Sequence, residues 1–275
     1  MGPDELRKKA IGIRRALLNM IHLCKAGHTG GSLSSVDILT VLYYEVMRTD
    51  AENPKWRDRD YFVMSKGHSV EGLLCILADR GFFDPAELST FCRFGTRLIG
   101  HPNNKIPGME MNTGALGHGL PVATGMALGL KMSGRGNRVF TVMGDGEQAE
   151  GSIWEAAMAA SHFKLDNLTG IIDRNRLQIS GDTERVMTLE PLAERWRAFG
   201  WSVGEVDGHD VSALSAILKA GSPEPGKPRL VLARTVKGKG VKEMENVAKW
   251  HHGVPDEATM ASAMRQLDEA ERNIP

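Results

Sequence analysis

Apolar residues at Leu6, Ala10, Ile13, Leu17, Ile21 and Cys24 recur every three or four positions. That spacing predicts an amphipathic helix over residues 4–26, which Gly27 ends. The stretch AGHTGGSLS then reads as a glycine-rich loop, with Ser34 or Ser35 capping a second helix that runs to Met47 and has Asp37 in its first turn. YFVMS predicts a short buried strand ahead of SKGHS, and residues 70–79 a helix. In GFFDPAELSTFCRFG, Asp84, Pro85 and Glu87 fit the N-cap, first and third positions of another helix. Residues 97–114 hold too many Gly, Pro and Asn for regular structure and predict a long loop, of a kind that is usually functional or disordered. Beyond it the pattern alternates: helix 119–132, strand 138–143, helix 151–162, strand 168–172, helix 191–198, strand 201–206, helix 211–220 and strand 229–235. Residues 236–255 are irregular and precede a polar helix over 256–271.

The strands are near-continuous apolar runs, as expected when both faces of a sheet are covered, and they alternate with helices. The fold class this predicts is α/β, a parallel sheet with helices on both faces. A length of 275 residues, 41% of them hydrophobic, is enough for one large core, and residues 1–275 read as a single domain. GSPEPGKP at 221–228 reads as a surface connection rather than a linker, and no internal repeat is present.

Charge and cysteine usage narrow the function classes. The formal net charge is +0 and no basic block occurs, which argues against nucleic acid or a membrane surface as a partner. The most apolar stretch, 114–132, is broken by His118, Pro121 and Lys131, so no membrane span is expected. The charged, periodic opening MGPDELRKKAIGIRR does not read as a secretory signal. Cys24, Cys75 and Cys92 are odd in number and unevenly spaced, and two of them fall in apolar helical patterns. A cytoplasmic, reducing location is the expectation.

Two apolar runs carry the chemistry. VFTVMGDG ends in Gly144, Asp145 and Gly146, and GIIDRN ends in Asn175, thirty positions on. Parallel sheets bind ligands outside the carboxyl ends of their strands. Gly144 and Gly146 permit a sharp turn and close approach of a phosphate, and the helix that follows has free N–H groups for an anion. A carboxylate, an amide oxygen and a backbone carbonyl suit a magnesium or calcium ion that also holds a diphosphate. An ordinary turn at each strand end is the competing reading.

With these features in place, the chain resembles the transketolases. GDG followed about thirty residues later by Asn is the thiamine-diphosphate motif. AGHTGGSLS, SKGHS, FGTRLIGHP, NTGALGHGLPVATGMALG, GDGEQAEGSIWEA and KGKGVKEMENVAKWHH, spread over residues 27–252, extend the likeness along nearly the whole chain. They correspond to the N-terminal, diphosphate-binding (PP-type) domain of that family. The pyrimidine-binding and C-terminal domains have no counterpart here, so the chain is similar to the N-terminal subunit of a split transketolase.

The resemblance implies thiamine-diphosphate-dependent transfer of a two-carbon ketol unit from a ketose phosphate to an aldose. It implies Mg²⁺, with Ca²⁺ as a substitute, held by Asp145, Asn175 and the carbonyl of Leu177. The implied cofactor contacts are His68, Gly114, Ala115, Leu116, Gly144, Asp145, Gly146, Glu150, Asn175, Lys237 and His251. His28, His68, His101, Glu150 and one or both of His251 and His252 are the implied catalytic set. In WHHG, counting forward from Lys237 favours His251 and counting back from Gly253 favours His252. Glu150 matches a carboxylate that meets the essential glutamate of a partner chain, a C-terminal transketolase subunit, and the family's two-fold dimer implies an α2β2 assembly. Glu147 reads more simply than Glu150 as a first-turn acid of a helix. His22 and His162 lie in helical patterns and His209 in a cap-like turn, without a site role. Rival readings are an α subunit of a 2-oxo acid dehydrogenase, a deoxyxylulose-phosphate synthase relative, and a non-catalytic cofactor binder. Pyruvate tested against xylulose 5-phosphate as donor separates the enzymes among them.

Overall fold

The structure, a computed structural model, describes residues 1–275. Five parallel strands form the central sheet: β1 (Tyr61–Met64), β2 (Val139–Gly144), β3 (Leu168–Arg174), β6 (Ser202–Asp207) and β7 (Arg229–Arg234), in the order β1-β2-β3-β7-β6. Register runs from Tyr61 opposite Val139 to Gly144 opposite Asp173 and Arg174 opposite Arg234. All carboxyl ends therefore lie along one edge.

Successive residues of each strand point to opposite faces, and the two faces feed separate cores. Phe62, Met64, Phe140, Val142, Ile171 and Val231 pack beneath α1 (Pro3–Cys24), α2 (Thr29–Val41), α3 (Val70–Asp79), α8 (Val211–Lys219) and α9 (Glu257–Arg272). Val63, Val139, Met143, Leu168, Ile172 and Leu230 pack beneath α4 (Gly119–Met132), α5 (Gly151–His162) and α7 (Leu192–Ala198). The result is the expected parallel sheet covered on both faces. No helix is long and apolar enough to cross a membrane.

Local differences from expectation have physical causes. The second helix begins at Thr29, not at Ser34 or Ser35, and its last turn widens into a π-helical stretch over Leu42–Val46. Every residue of α2 is buried, so it has no polar face and no period to read. Its glycines are packing choices: a Cβ on Gly30 would lie 2.8 Å from the Trp250 carbonyl oxygen, and one on Gly31 2.7 Å from Ser69 Oγ. The Asp84 cap forms, accepting from the Ala86 N–H, but it opens a 3₁₀ turn over Pro85–Thr90 rather than an α-helix. A two-stranded hairpin, β4 (Leu177–Gln178) with β5 (Gly181–Asp182), and the single turn α6 (Thr183–Val186) follow β3 without an expectation from the apolar pattern.

Candidate functional site

A cleft of about 510 Å³ opens at the carboxyl ends of β2 and β3. The GDG turn, the 175–180 hairpin, the Gly114–Leu116 backbone, Lys237 and the histidine-bearing loops line it.

The GDG turn is held by Glu147. This side chain is buried, and it accepts from Ser65 Oγ and from the backbone N–H groups of Gly117 and Gly144, the last two at 2.9 Å each. It thereby ties β1, the 114–117 loop and β2 together. Its carboxyl is pushed up by burial, against the pull of these bonds. Glu147 does lie in the first turn of a helix, the 3₁₀ turn Gly146–Ala149, but its side chain is buried, whereas Glu150, just after that turn, is exposed.

Asp145 is 2% exposed. Its Oδ1 accepts from Gly146 N–H at 2.7 Å, and its Oδ2 accepts from Arg176 N–H at 2.5 Å and Arg174 Nη1 at 3.2 Å. Burial pushes its carboxyl up and the neighbouring Asp173 adds to that, with Arg174 opposing. Asn175 Oδ1 accepts from Leu177 N–H at 3.0 Å, and the Leu177 carbonyl accepts from Lys237 Nζ at 3.0 Å. That carbonyl is thus already aimed at a cationic group. A carboxylate disfavoured by burial and by a second carboxylate, beside an amide oxygen and a carbonyl, is a donor set that a hard divalent cation relieves. These residues fit the metal that the sequence implies.

The surroundings fit an anionic ligand. Lys66 and Lys237 are each 2% exposed and both line the cleft. Lys66 forms a buried ion pair with Asp173, which also accepts from Ser34 Oγ and Thr235 Oγ1, and it donates to the Gly31 carbonyl at 2.9 Å. Burial, and then the charge of Lys66, lower the Lys237 ammonium to about 8. Gly114, at φ +145°, lets the backbone pass His101: a Cβ there would stand 2.8 Å from His101 Cδ2.

Five histidines that the sequence singles out converge on one point. His28 lies 5.4 Å from His68, 6.0 Å from His101, 5.9 Å from His251 and 4.7 Å from His252, ring centre to ring centre. His68 and His251 stack at 4.9 Å, and His251 Nδ1 sits 3.0 Å from Lys237 Nζ. Burial, then Lys66, lowers His68 to about 2; burial, then Lys237, lowers His251 to about 3; burial also lowers His101. These three rings are therefore neutral near pH 7. His251 lines the cleft, whereas His252 is exposed, outside the lining, with its ring 4.7 Å from that of His28. His118 is exposed at the start of α4. His22 and His162 stay outside the cleft lining.

His209 lies, as expected, in the turn that caps α8, whose N-cap Asp210 accepts from Ser212 and Ala213 N–H. His209 bridges Asp37 Oδ2 at 2.7 Å and the Val236 N–H at 2.8 Å. Lys66, Asp173, Glu71 and Gln178 are the site neighbours that sequence reasoning missed. Lys66 had a signal, since it lies within SKGHS; Glu71 and Asp173 act through contacts 39 and more positions apart.

Comparison with known proteins gives a consistent result. Residues 6–270 match the family described as "Transketolase, thiamine diphosphate binding domain". The chain is 49% identical over 256 residues to a Phocaeicola vulgatus protein named as the A subunit of an apulose-4-phosphate transketolase, covering 93% of this chain and 91% of that one. It is 40% identical over 265 residues to the 6-deoxy-6-sulfo-D-fructose transketolase subunit SqwG of a Clostridium species, covering 96% of each. The solved transketolase of Campylobacter jejuni superposes with a TM-score of 0.92 at 30% identity, covering 100% of this chain and 45% of that longer one.

Proposed function

Since the chain belongs to the transketolase family and carries its thiamine-diphosphate-binding domain, we propose that residues 1–275 act as one cofactor-binding unit, the N-terminal subunit of a two-chain transketolase. The proposed reaction moves a two-carbon ketol unit from a ketose phosphate, or a comparably anionic ketose, to an aldose. Thiamine diphosphate, when bound, supplies the carbanion that this transfer requires. Asp145, Asn175 and the Leu177 carbonyl hold Mg²⁺, with Ca²⁺ as substitute. Lys66, Lys237 and His68 face the diphosphate side, and the Gly114–Leu116, Gly144 and Gly146 backbones shape the cradle. His28, His101 and His251 meet the hydroxyls of the sugar, where an imidazole can accept or give a proton. Glu150, exposed at the lip of the cleft, faces the pyrimidine-binding domain of a C-terminal partner subunit in an α2β2, cytoplasmic enzyme. The relatives named for apulose 4-phosphate and for a sulfonated fructose support an anionic ketose as donor.

The observation that carries the reading is the placement of His28, His68 and His251 in one cleft with Asp145, Asn175 and Leu177, with His101 6.0 Å from His28. The test is reconstitution. The purified chain, with thiamine diphosphate and Mg²⁺, is used to capture its partner from the source lysate, and ketol transfer is measured for each chain and for the mixture. Activity confined to the mixture supports the proposal. Full activity of this chain alone refutes the two-chain assignment.

A further inference from the structure

Glu71 neighbours the site but does not line the cleft. It lies on α3 and is 0% exposed. Its Oε2 accepts from Ser32 Oγ at 2.6 Å, and its Oε1 accepts from the His28 backbone N–H at 2.7 Å. Both donors are neutral and both belong to the start of α2, whose free N–H groups favour a negative charge there. A buried carboxylate held only by neutral donors is costly to keep.

The same Oε1 lies 3.8 Å from His28 Nδ1. That nitrogen is buried and has no hydrogen-bond partner, while the ring itself lines the cleft. The other rings around His28 are imidazoles, so Glu71 is the charged group facing this nitrogen. A carboxylate can only accept, so an Nδ1 directed at it bonds only when it carries the proton. In a neutral ring the lone pair then sits on Nε2, on the opposite edge.

We propose that Glu71 is a positioning residue for His28: it holds the backbone of His28 at the helix start and fixes the ring as the Nδ1–H tautomer, so that Nε2 is presented to the cleft as an acceptor. His28 then receives a hydrogen bond, or a proton, from a substrate hydroxyl rather than donating one. This rests on reading His28 as substrate-facing, but the tautomer is a property of the chain alone. Glu71 stands 43 positions from His28 in sequence, which is why the loop motif around His28 does not reveal it.

The test is long-range proton–nitrogen correlation spectroscopy on the full chain with nitrogen-15-labelled histidine, at neutral pH, without cofactor or partner. His28 is assigned by loss of its signals in His28→Asn. The expected result is an Nδ1–H pattern for His28 in the unsubstituted chain. Glu71→Gln, which retains an acceptor, should keep a fraction of it, and Glu71→Met should lose it while thermal unfolding shows a folded protein. An Nε2–H pattern in the unsubstituted chain overturns the proposal, as does an unchanged Nδ1–H pattern in folded Glu71→Met. If Glu71→Met does not fold, the first comparison still decides. Failure of ketol transfer in the reconstituted enzyme is a separate outcome, because no cofactor or substrate enters this measurement.

Discussion

Replacing Lys66 by Met tests the electrostatic base of the cleft. Lys66 and Asp173 are 2% and 0% exposed and form an ion pair beneath the strand ends. The Asp173 carboxyl lies below its usual range: burial pushes it up, and Lys66, with Ser34 and Thr235, outweighs that. Removing one partner of a buried pair leaves an uncompensated charge and costs about 3–5 kcal/mol. The two hydroxyl donors remain, which places the expectation at the lower end, ~3 kcal/mol. For a chain of 275 residues, at about 2.1 cal/mol/K of unfolding entropy per residue, that corresponds to a fall in Tm of roughly 5 °C. Thermal unfolding of the chain alone, followed by circular dichroism, measures it. Lys66→Met with Asp173→Asn should recover much of the loss, since no buried charge is then left unpaired. Acidification gives the sign. In the unsubstituted chain Asp173 contributes stability above about pH 3.9, and that contribution is lost as pH falls toward its lowered value. In Lys66→Met the ammonium that outweighs burial at this carboxyl is gone, so the deficit should be largest near neutrality and narrow as the carboxyl takes a proton. A fall in Tm under about 2 °C, or a double variant no more stable than the single one, refutes the reasoning.

Three further outcomes follow from the geometry. Gly114→Ala forces a side chain into φ +145° and against His101, and should cost about 1–3 kcal/mol and displace the His101 ring, seen as a change in its proton shifts. Asp37 accepts from Arg14 at 2.9 and 2.7 Å and holds its carboxyl well below the usual range, burial opposing and Arg14 outweighing it. Asp37→Asn should therefore lower unfolding free energy by about 3 kcal/mol above pH 4, with the difference closing as pH falls below it, in urea titrations at several pH values. Calorimetry of thiamine diphosphate with Mg²⁺ should show a clear loss of affinity for His251→Asn and little change for His252→Asn; equal effects would contradict the inward placement of His251 alone.

The parallel sheet is legible in the sequence because strands covered on both faces must be apolar at every position. Phe140 serves one core and Val139 the other, so VFTVM is apolar apart from the buried Thr141. The same burial hides α2. A helix enclosed on all sides loses its period, and TGGSLS passes for a loop. The histidines are legible because each lies in a short motif at a loop or helix end. The groups that hold them are not, because they act across the fold: Glu71 on His28, Asp173 on Lys66, Ser65 on Glu147. Polarity alone also cannot rank Glu147 against Glu150, since the turn decides which one faces inward.

The convergence of the imidazoles bears on the order in which the chain acquires its parts. Thr29 bonds the Gly253 carbonyl across 224 residues, and His28 pairs with Gly253 in an isolated parallel bridge. Contacts of such sequence separation close slowly, after the entropy of the intervening loop has been offset by nearer pairings. The last strand of the sheet ends at Arg234, before Lys237 and His251. A nascent or clipped chain that stops there retains all five strands and neither of those two side chains. Binding competence is thus expected late in folding, and a cut between Arg234 and Lys237 would separate Lys237 and His251 from all five strands of the sheet.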